Sequence, residues 1–148
     1  ATAVLPWARG LFIAGVGGST LIVMRTAAKL QNVSLAQIAR LLLVPLLAFV
    51  AFNQVLSPQY MIWLLPLAAL TVLEGSPWPG WAITLATMLT PIIYPSWHGD
   101  YRRGLDLFET VVLLSRNLLL LAVWIALLRE SFQTAQSNPT AAKRIRTY

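Results

Sequence analysis

Three observations predict an all-α integral membrane fold with about five transmembrane helices. Hydrophobic residues make up 57% of the 148-residue chain and charged residues only 11%, against about 45–50% and about 25% in a soluble domain. Mean hydropathy is +0.68, and the apolar residues gather in runs too long for one packed core. Six tryptophans fall near the ends of those runs, as an interfacial aromatic belt does. An ordinary soluble domain and a disordered chain are both excluded, since each needs more polar surface. The chain has no cysteine, which removes disulfide frameworks, thiolate metal sites and cysteine nucleophiles.

The spans are expected near residues 4–24, 38–56, 59–73, 81–95 and 110–128. A transmembrane helix needs about 20 apolar residues, so the third and fourth are short. They are read as tilted, extended or shielded by neighbours, with re-entrant segments as the alternative. The first span carries Gly10, Ala14 and Gly18 at four-residue spacing, a face on which a second helix backbone can lie close. This Gly-rich run lacks the lysine and the strand-to-helix context of a phosphate loop. Residues 129–148 are read as a polar, basic, solvated tail. The first residue is Ala1 rather than Met, which reads as a trimmed start or a piece of a longer protein.

Orientation follows from Lys and Arg. Arg25, Lys29 and Arg40 flank the first connection, and Arg129, Lys143, Arg144 and Arg146 follow the last span. With five spans these share one side, expected to be cytoplasmic. Arg9, Arg102 and Arg103 fall on the other. The net charge of +6 is therefore read as basic cytoplasmic segments near anionic lipid, with no nucleic-acid partner.

The most distinctive stretch runs from Phe52 to Pro66. Ser57 is a good N-cap and Pro58 suits the first helical position. The third span is expected to start there, with free N–H groups able to meet an anion. Asn53, Gln54 and Gln59 add amides, and Tyr60 and Trp63 share a helix face. Taken alone, these residues equally describe a capped helix with interfacial aromatics.

Ser57-Pro58-Gln59-Tyr60, followed by Trp63 and Leu65-Pro66, resembles the SPQY-x-x-W-x-x-P signature near the C-terminal end of polytopic GT-C superfamily glycosyltransferases. It is most similar to bacterial polyprenyl-phosphate-mannose-dependent mannosyltransferases. Ser115-Arg116-Asn117-Leu118-Leu119-Leu120 resembles the Arg-Asn-Leu-Leu run of their last spans. The resemblance implies that the chain is part of a larger GT-C type helical bundle in the bacterial plasma membrane. That enzyme would transfer a hexose, mannose by the resemblance, from a polyprenyl-phosphate-linked donor on the outer face. Such enzymes carry a catalytic carboxylate in their first large extracytoplasmic loop, and nothing here matches it. The chain is therefore expected to be the C-terminal membrane part and inactive alone. No catalytic residue, metal ligand or cofactor is assigned within it. Its expected partners are membrane lipid, the lipid-linked donor and the missing N-terminal part.

The donor-phosphate residues expected on these grounds are Ser57, Gln59, Tyr60, Arg102, Arg103, Arg116 and Asn117. Arg116 lies inside an apolar run, roughly 10 Å along the helix from Glu109. A charge there costs about 2.5–3.5 kcal/mol and faces protein or water. It either snorkels, pairs structurally, or holds a phosphate bidentately. Arg102 and Arg103 belong to the polar 96–109 loop and are read as guides for an anionic group. His98 and Asp100 in that loop are too few for a metal site. Thr84, Thr87 and Thr90 precede Pro91 and are expected to satisfy carbonyls that a proline kink frees. Two alternatives stand beside this reading: a small membrane scaffold using the Gly10 face, and a transporter fragment.

Overall fold

The computed structural model describes residues 4–30, 33–53, 59–73, 77–93 and 107–137. All regular structure among them is helical: α1 (Val4–Ala27), α2 (Leu35–Phe52), α3 (Gln59–Leu73), α4 (Trp78–Ile93) and α5 (Leu107–Ser137). Three stretches, Pro6–Ala27 of α1, Leu35–Phe52 (the whole of α2) and Thr110–Thr134 of α5, are long and apolar enough to cross a membrane. Helices α3 and α4 have 15 and 16 residues, about 22–24 Å at 1.5 Å per residue, less than the roughly 30 Å hydrocarbon core of a bilayer.

The three long helices all touch one another. Helix α3 packs on α2, α4 on α5, and α3 on α4, which closes a ring of α2, α3, α4 and α5 with α1 outside it against α2 and α5. Among the described residues the backbones across the ring diagonals, α2 with α4 and α3 with α5, do not come close. Of the spanning windows α2 is 39% buried and α1 only 11%, which makes α2 the hub and α1 the outermost stave. The shared core contains Leu43 and Leu47 of α2, Leu64 of α3, Ile83 of α4, and Leu120 and Leu127 of α5. Outward-facing positions are apolar too: Leu11, Ile38, Leu85 and Leu118 are all exposed. An apolar exterior on every helix suits a lipid solvent.

Local chemistry explains where the helices begin and end. Ser34 caps α2: its side chain accepts from Gln37 N at 3.2 Å, while Gln37 Oε1 accepts from Ser34 N at 3.0 Å. This reciprocal capping box starts the helix at Leu35 rather than 38. Pro77 O accepts from Trp81 N at 3.0 Å, and Pro79 suits the first turn, so α4 starts at Trp78 rather than 81. Helix α3 has the expected limits. Helix α5 runs past Leu128 to Ser137, so residues 129–137 are helix rather than solvated tail. Its buried stripe, Arg116, Leu120, Val123, Leu127 and Ser131, keeps three- and four-residue spacing throughout, which holds the last turns against the bundle.

Hydroxyls along the helices donate to carbonyls of their own helix. Thr84, Thr87 and Thr90 bond to Gly80 O, Ile83 O and Ala86 O at 2.8–3.1 Å. The carbonyl that Pro91 frees is that of Thr87, and none of these bonds reaches it; each threonine back-bonds four residues up the chain instead. Trp124 sits well inside α5 rather than near its end. Its indole N–H donates to Ser19 Oγ at 3.0 Å, and Thr26 Oγ1 donates to Ser131 O at 3.3 Å. Both bonds join residues 105 apart, so α1 and α5 run parallel with a register repeated after about two turns.

Small residues are used differently from the expectation. A Cβ at Gly10 or Gly18 would meet nothing within 4 Å, so among the described residues the Gly10/Ala14/Gly18 face packs no helix. Close approach occurs at Gly15, which lies against the Phe52 ring, and at Gly80, where a Cβ would stand 2.6 Å from Ala68 O. Crowding of that kind costs about 1–3 kcal/mol, whereas relieving a helical glycine returns about 1 kcal/mol. Gly80→Ala is therefore expected to lower stability by up to about 2 kcal/mol, and Gly18→Ala to leave it unchanged or slightly raised. Thermal unfolding of both variants in one detergent checks the contrast.

Candidate functional site

Two ends of the bundle concentrate polar side chains. At the first, α2 closes with Phe52 and α3 opens with Gln59 and Tyr60. The first connection is short, so α2 runs antiparallel to α1 and hence to α5. Trp124 packs edge-on against Phe52 with ring centroids 5.2 Å apart. Arg116, two turns nearer the start of α5, therefore lies toward this same end.

Arg116 is 4% exposed and heads the buried stripe that continues into the Leu120–Leu127 core. Its Nε and Nη2 donate to Asn117 Oδ1 at 3.3 and 3.1 Å. One amide oxygen thus receives two guanidinium N–H groups. Among the described residues no carboxylate pairs with Arg116. A guanidinium has five donors in a planar fork, and an amide carries no formal charge, so Asn117 orients the cation without neutralising it. The fork matches the oxygens of a phosphate or carboxylate.

The α3 residues are arranged differently. Tyr60 is half-buried, edge-on to Phe49 at 5.5 Å and tilted against Trp63 at 5.2 Å. Phe49 also meets Phe12 of α1 at 5.6 Å, so Tyr60 belongs to an aromatic cluster that joins α1, α2 and α3. Gln59 is exposed at the first position of α3. Among the described residues the backbones of α3 and α5 do not come close, so Gln59 and Tyr60 stand across the ring from Arg116 and Asn117. Ser57, Arg102 and Arg103 lie outside the described residues, as do His98 and Asp100.

The second end was not singled out from the sequence. Here the last turn of α1, the first turns of α2 and the last turns of α5 enclose a cavity of about 100 Å³ lined by Thr26, Gln37, Arg40, Glu130, Ser131 and Thr134, with leucines between them. Arg40 Nη1 stands 3.9 Å from Glu130 Oε2, with the two side chains 27% and 42% exposed. The signal for this end lay in the spacing: Ser131 and Thr134 prolong the period of Leu120, Val123 and Leu127, which carries Glu130 onto the bundle. No group of three potential metal ligands occurs among the described residues.

A scan of protein-family models and searches of curated proteins and of solved structures return no match for this chain.

Asn117 and Arg116 act as a unit, and their energies separate by substitution. Arg116→Leu removes both the charge and its demand for acceptors. Asn117→Leu leaves a buried guanidinium without an acceptor, a cost of about 1–3 kcal/mol or more. Asn117→Leu is expected to destabilise the bundle more than Arg116→Leu, and the double variant to recover most of the loss. Unfolding in mixed micelles across the four proteins measures this coupling.

Proposed function

We propose that this chain is the C-terminal membrane part of a GT-C type glycosyltransferase, and that Arg116, oriented by Asn117, binds the phosphate of a polyprenyl-phosphate-linked hexose. Arg116 carries the reading. A cation 4% exposed in a mostly apolar helix, hydrogen-bonded to a neutral amide, is costly in a membrane and is retained for a ligand. The resemblance of Ser57–Tyr60 and of Ser115–Leu120 to the family's last spans supports the donor class. All five helices then belong to one larger bundle, with short α3 and α4 shielded by neighbours or tilted.

In this reading the Tyr60 end faces outward and the Arg40 end inward, by the distribution of Lys and Arg. Leaving-group charge grows on the donor phosphate as the bond to the sugar carbon breaks. Arg116 stabilises that charge in an apolar surrounding, where a fixed cation is worth more than in water. The acceptor's proton goes to a carboxylate supplied by upstream sequence, and mannose is the sugar the resemblance names. Gln59 and Tyr60, across the ring, contact the donor only if its headgroup or first isoprene units reach between α3 and α5.

The test is binding to nanodiscs loaded with polyprenyl phosphate or with the uncharged polyprenol. The wild-type chain is expected to prefer the phosphate at least 10-fold, and Arg116→Leu to lose that preference. Equal binding of the two lipids would overturn the phosphate role. In the polypeptide that carries this segment in its native membrane, Arg116→Ala is expected to raise the donor KM and slow sugar transfer. Unchanged donor KM and turnover there would remove Arg116 from the mechanism.

A further inference from the structure

We propose that the cavity at the Arg40 end binds the phosphoethanolamine headgroup of a zwitterionic membrane lipid, its phosphate on Arg40 and Gln37 and its ammonium on Glu130, Thr26 and Ser131. The inference depends on the three long helices crossing a bilayer and is independent of sugar transfer.

Position comes first. The cavity is formed by α1, α2 and α5, the helices long and apolar enough to span. It lies at their shared end: Thr26 near the end of α1, Gln37 near the start of α2, Glu130 in the last turns of α5. When these helices cross the membrane, this level coincides with the headgroup layer. A volume of about 100 Å³ admits one small polar group or several waters.

The donor and acceptor pattern then selects the ligand. Gln37 Oε1 is committed to Ser34 N in the capping box, which leaves its NH₂ as donors next to Arg40. That side of the wall presents N–H groups and a positive charge, suited to phosphate oxygens. On the other side the hydroxyl protons are spent inside the protein. Thr26 Oγ1 shares its single proton between Ile22 O at 2.9 Å and Ser131 O at 3.3 Å, and Ser131 Oγ donates to Leu127 O at 2.9 Å. Both residues line the cavity with Glu130, so this wall offers hydroxyl oxygens and a carboxylate as acceptors. A primary ammonium with three N–H donors matches it, whereas a trimethylammonium has none.

Arg40 and Glu130 stand at 3.9 Å, beyond the 2.7–2.9 Å of a tight charged hydrogen bond. Part-exposed pairs of this kind contribute little to stability. Their opposite charges instead face the opposite charges of one zwitterion. The leucines between them suit the glycerol and upper acyl carbons.

The chain is reconstituted in nanodiscs of equal parts phosphatidylethanolamine, phosphatidylcholine and phosphatidylglycerol, and retained lipid is counted by native mass spectrometry. The wild-type protein is expected to hold phosphatidylethanolamine at least 5-fold over phosphatidylcholine. Glu130→Gln, an isosteric change, is expected to bring that ratio to about one, and Thr26→Val to lower it part of the way. Arg40→Gln should reduce retention of all three phospholipids. Equal retention of the first two lipids by the wild type, or a preference that survives Glu130→Gln in a protein of unchanged helicity, would overturn the proposal. Displacement of the retained lipid by micromolar soluble glycerophosphoethanolamine would overturn the lipid as source, and persistence against it supports the lipid.

Discussion

An apolar surrounding offers polar groups no partner, and this constraint organises the whole bundle. Each hydroxyl, indole and guanidinium placed along a helix must find its hydrogen-bond partner inside the protein. Thr84, Thr87 and Thr90 turn back onto carbonyls of their own helix. Trp124 reaches Ser19 on a neighbouring helix. Arg116 takes the amide oxygen next to it in sequence. These three solutions differ in what they fix: the first adds no tertiary information, the second sets a register between helices, and the third aims a charge.

The two ends of the bundle differ in kind. The Tyr60 end joins α1, α2 and α3 through edge-on and tilted aromatic rings and, among the described residues, holds one buried cation on α5. The Arg40 end pairs two opposite charges at a partly open cavity. A single buried cation favours an anion, whereas a loose ion pair favours a molecule carrying both signs. The same helices thus present two chemistries at opposite ends, with the Leu43–Leu47–Leu120–Leu127 core between them.

Hydropathy made the five helices legible, because long apolar runs with few charges have no soluble alternative. It placed α3 to the residue, since Pro58 and the polar residues after Leu73 punctuate both sides. Elsewhere the boundaries moved for local reasons. The Ser34–Gln37 capping box extends α2 backwards through residues that look like a connection. At the other extreme, Ser131 and Thr134 are polar, yet they keep the helical period and hold α5 together beyond Leu128. The stripe of Gly10, Ala14 and Gly18 was visible as a surface, but sequence does not say whether a surface is used, and Gly80 carries the close approach. The candidate site was legible by residue type. Arg116 was marked by its charge in an apolar run, and Asn117 by its neighbour. The separation of Tyr60 from Arg116 across the ring is a property of which helices touch, and that is not written in either motif.

The fixed register between α1 and α5 has a consequence for how the bundle is made. Ser19 and Thr26 are synthesised long before Trp124 and Ser131, yet the two bonds that join α1 to α5 require both. Until α5 is made, α1 has only α2 to rest on among the long helices, with Thr20 and Thr26 bonded to carbonyls of their own helix. It is locked only when α5 arrives alongside, parallel and in step. A slip of α5 by one residue would rotate both partners away from α1 together, so the two bonds form or fail as one. Helix α5 therefore sets the register of α1, which without it would keep only its packing against α2.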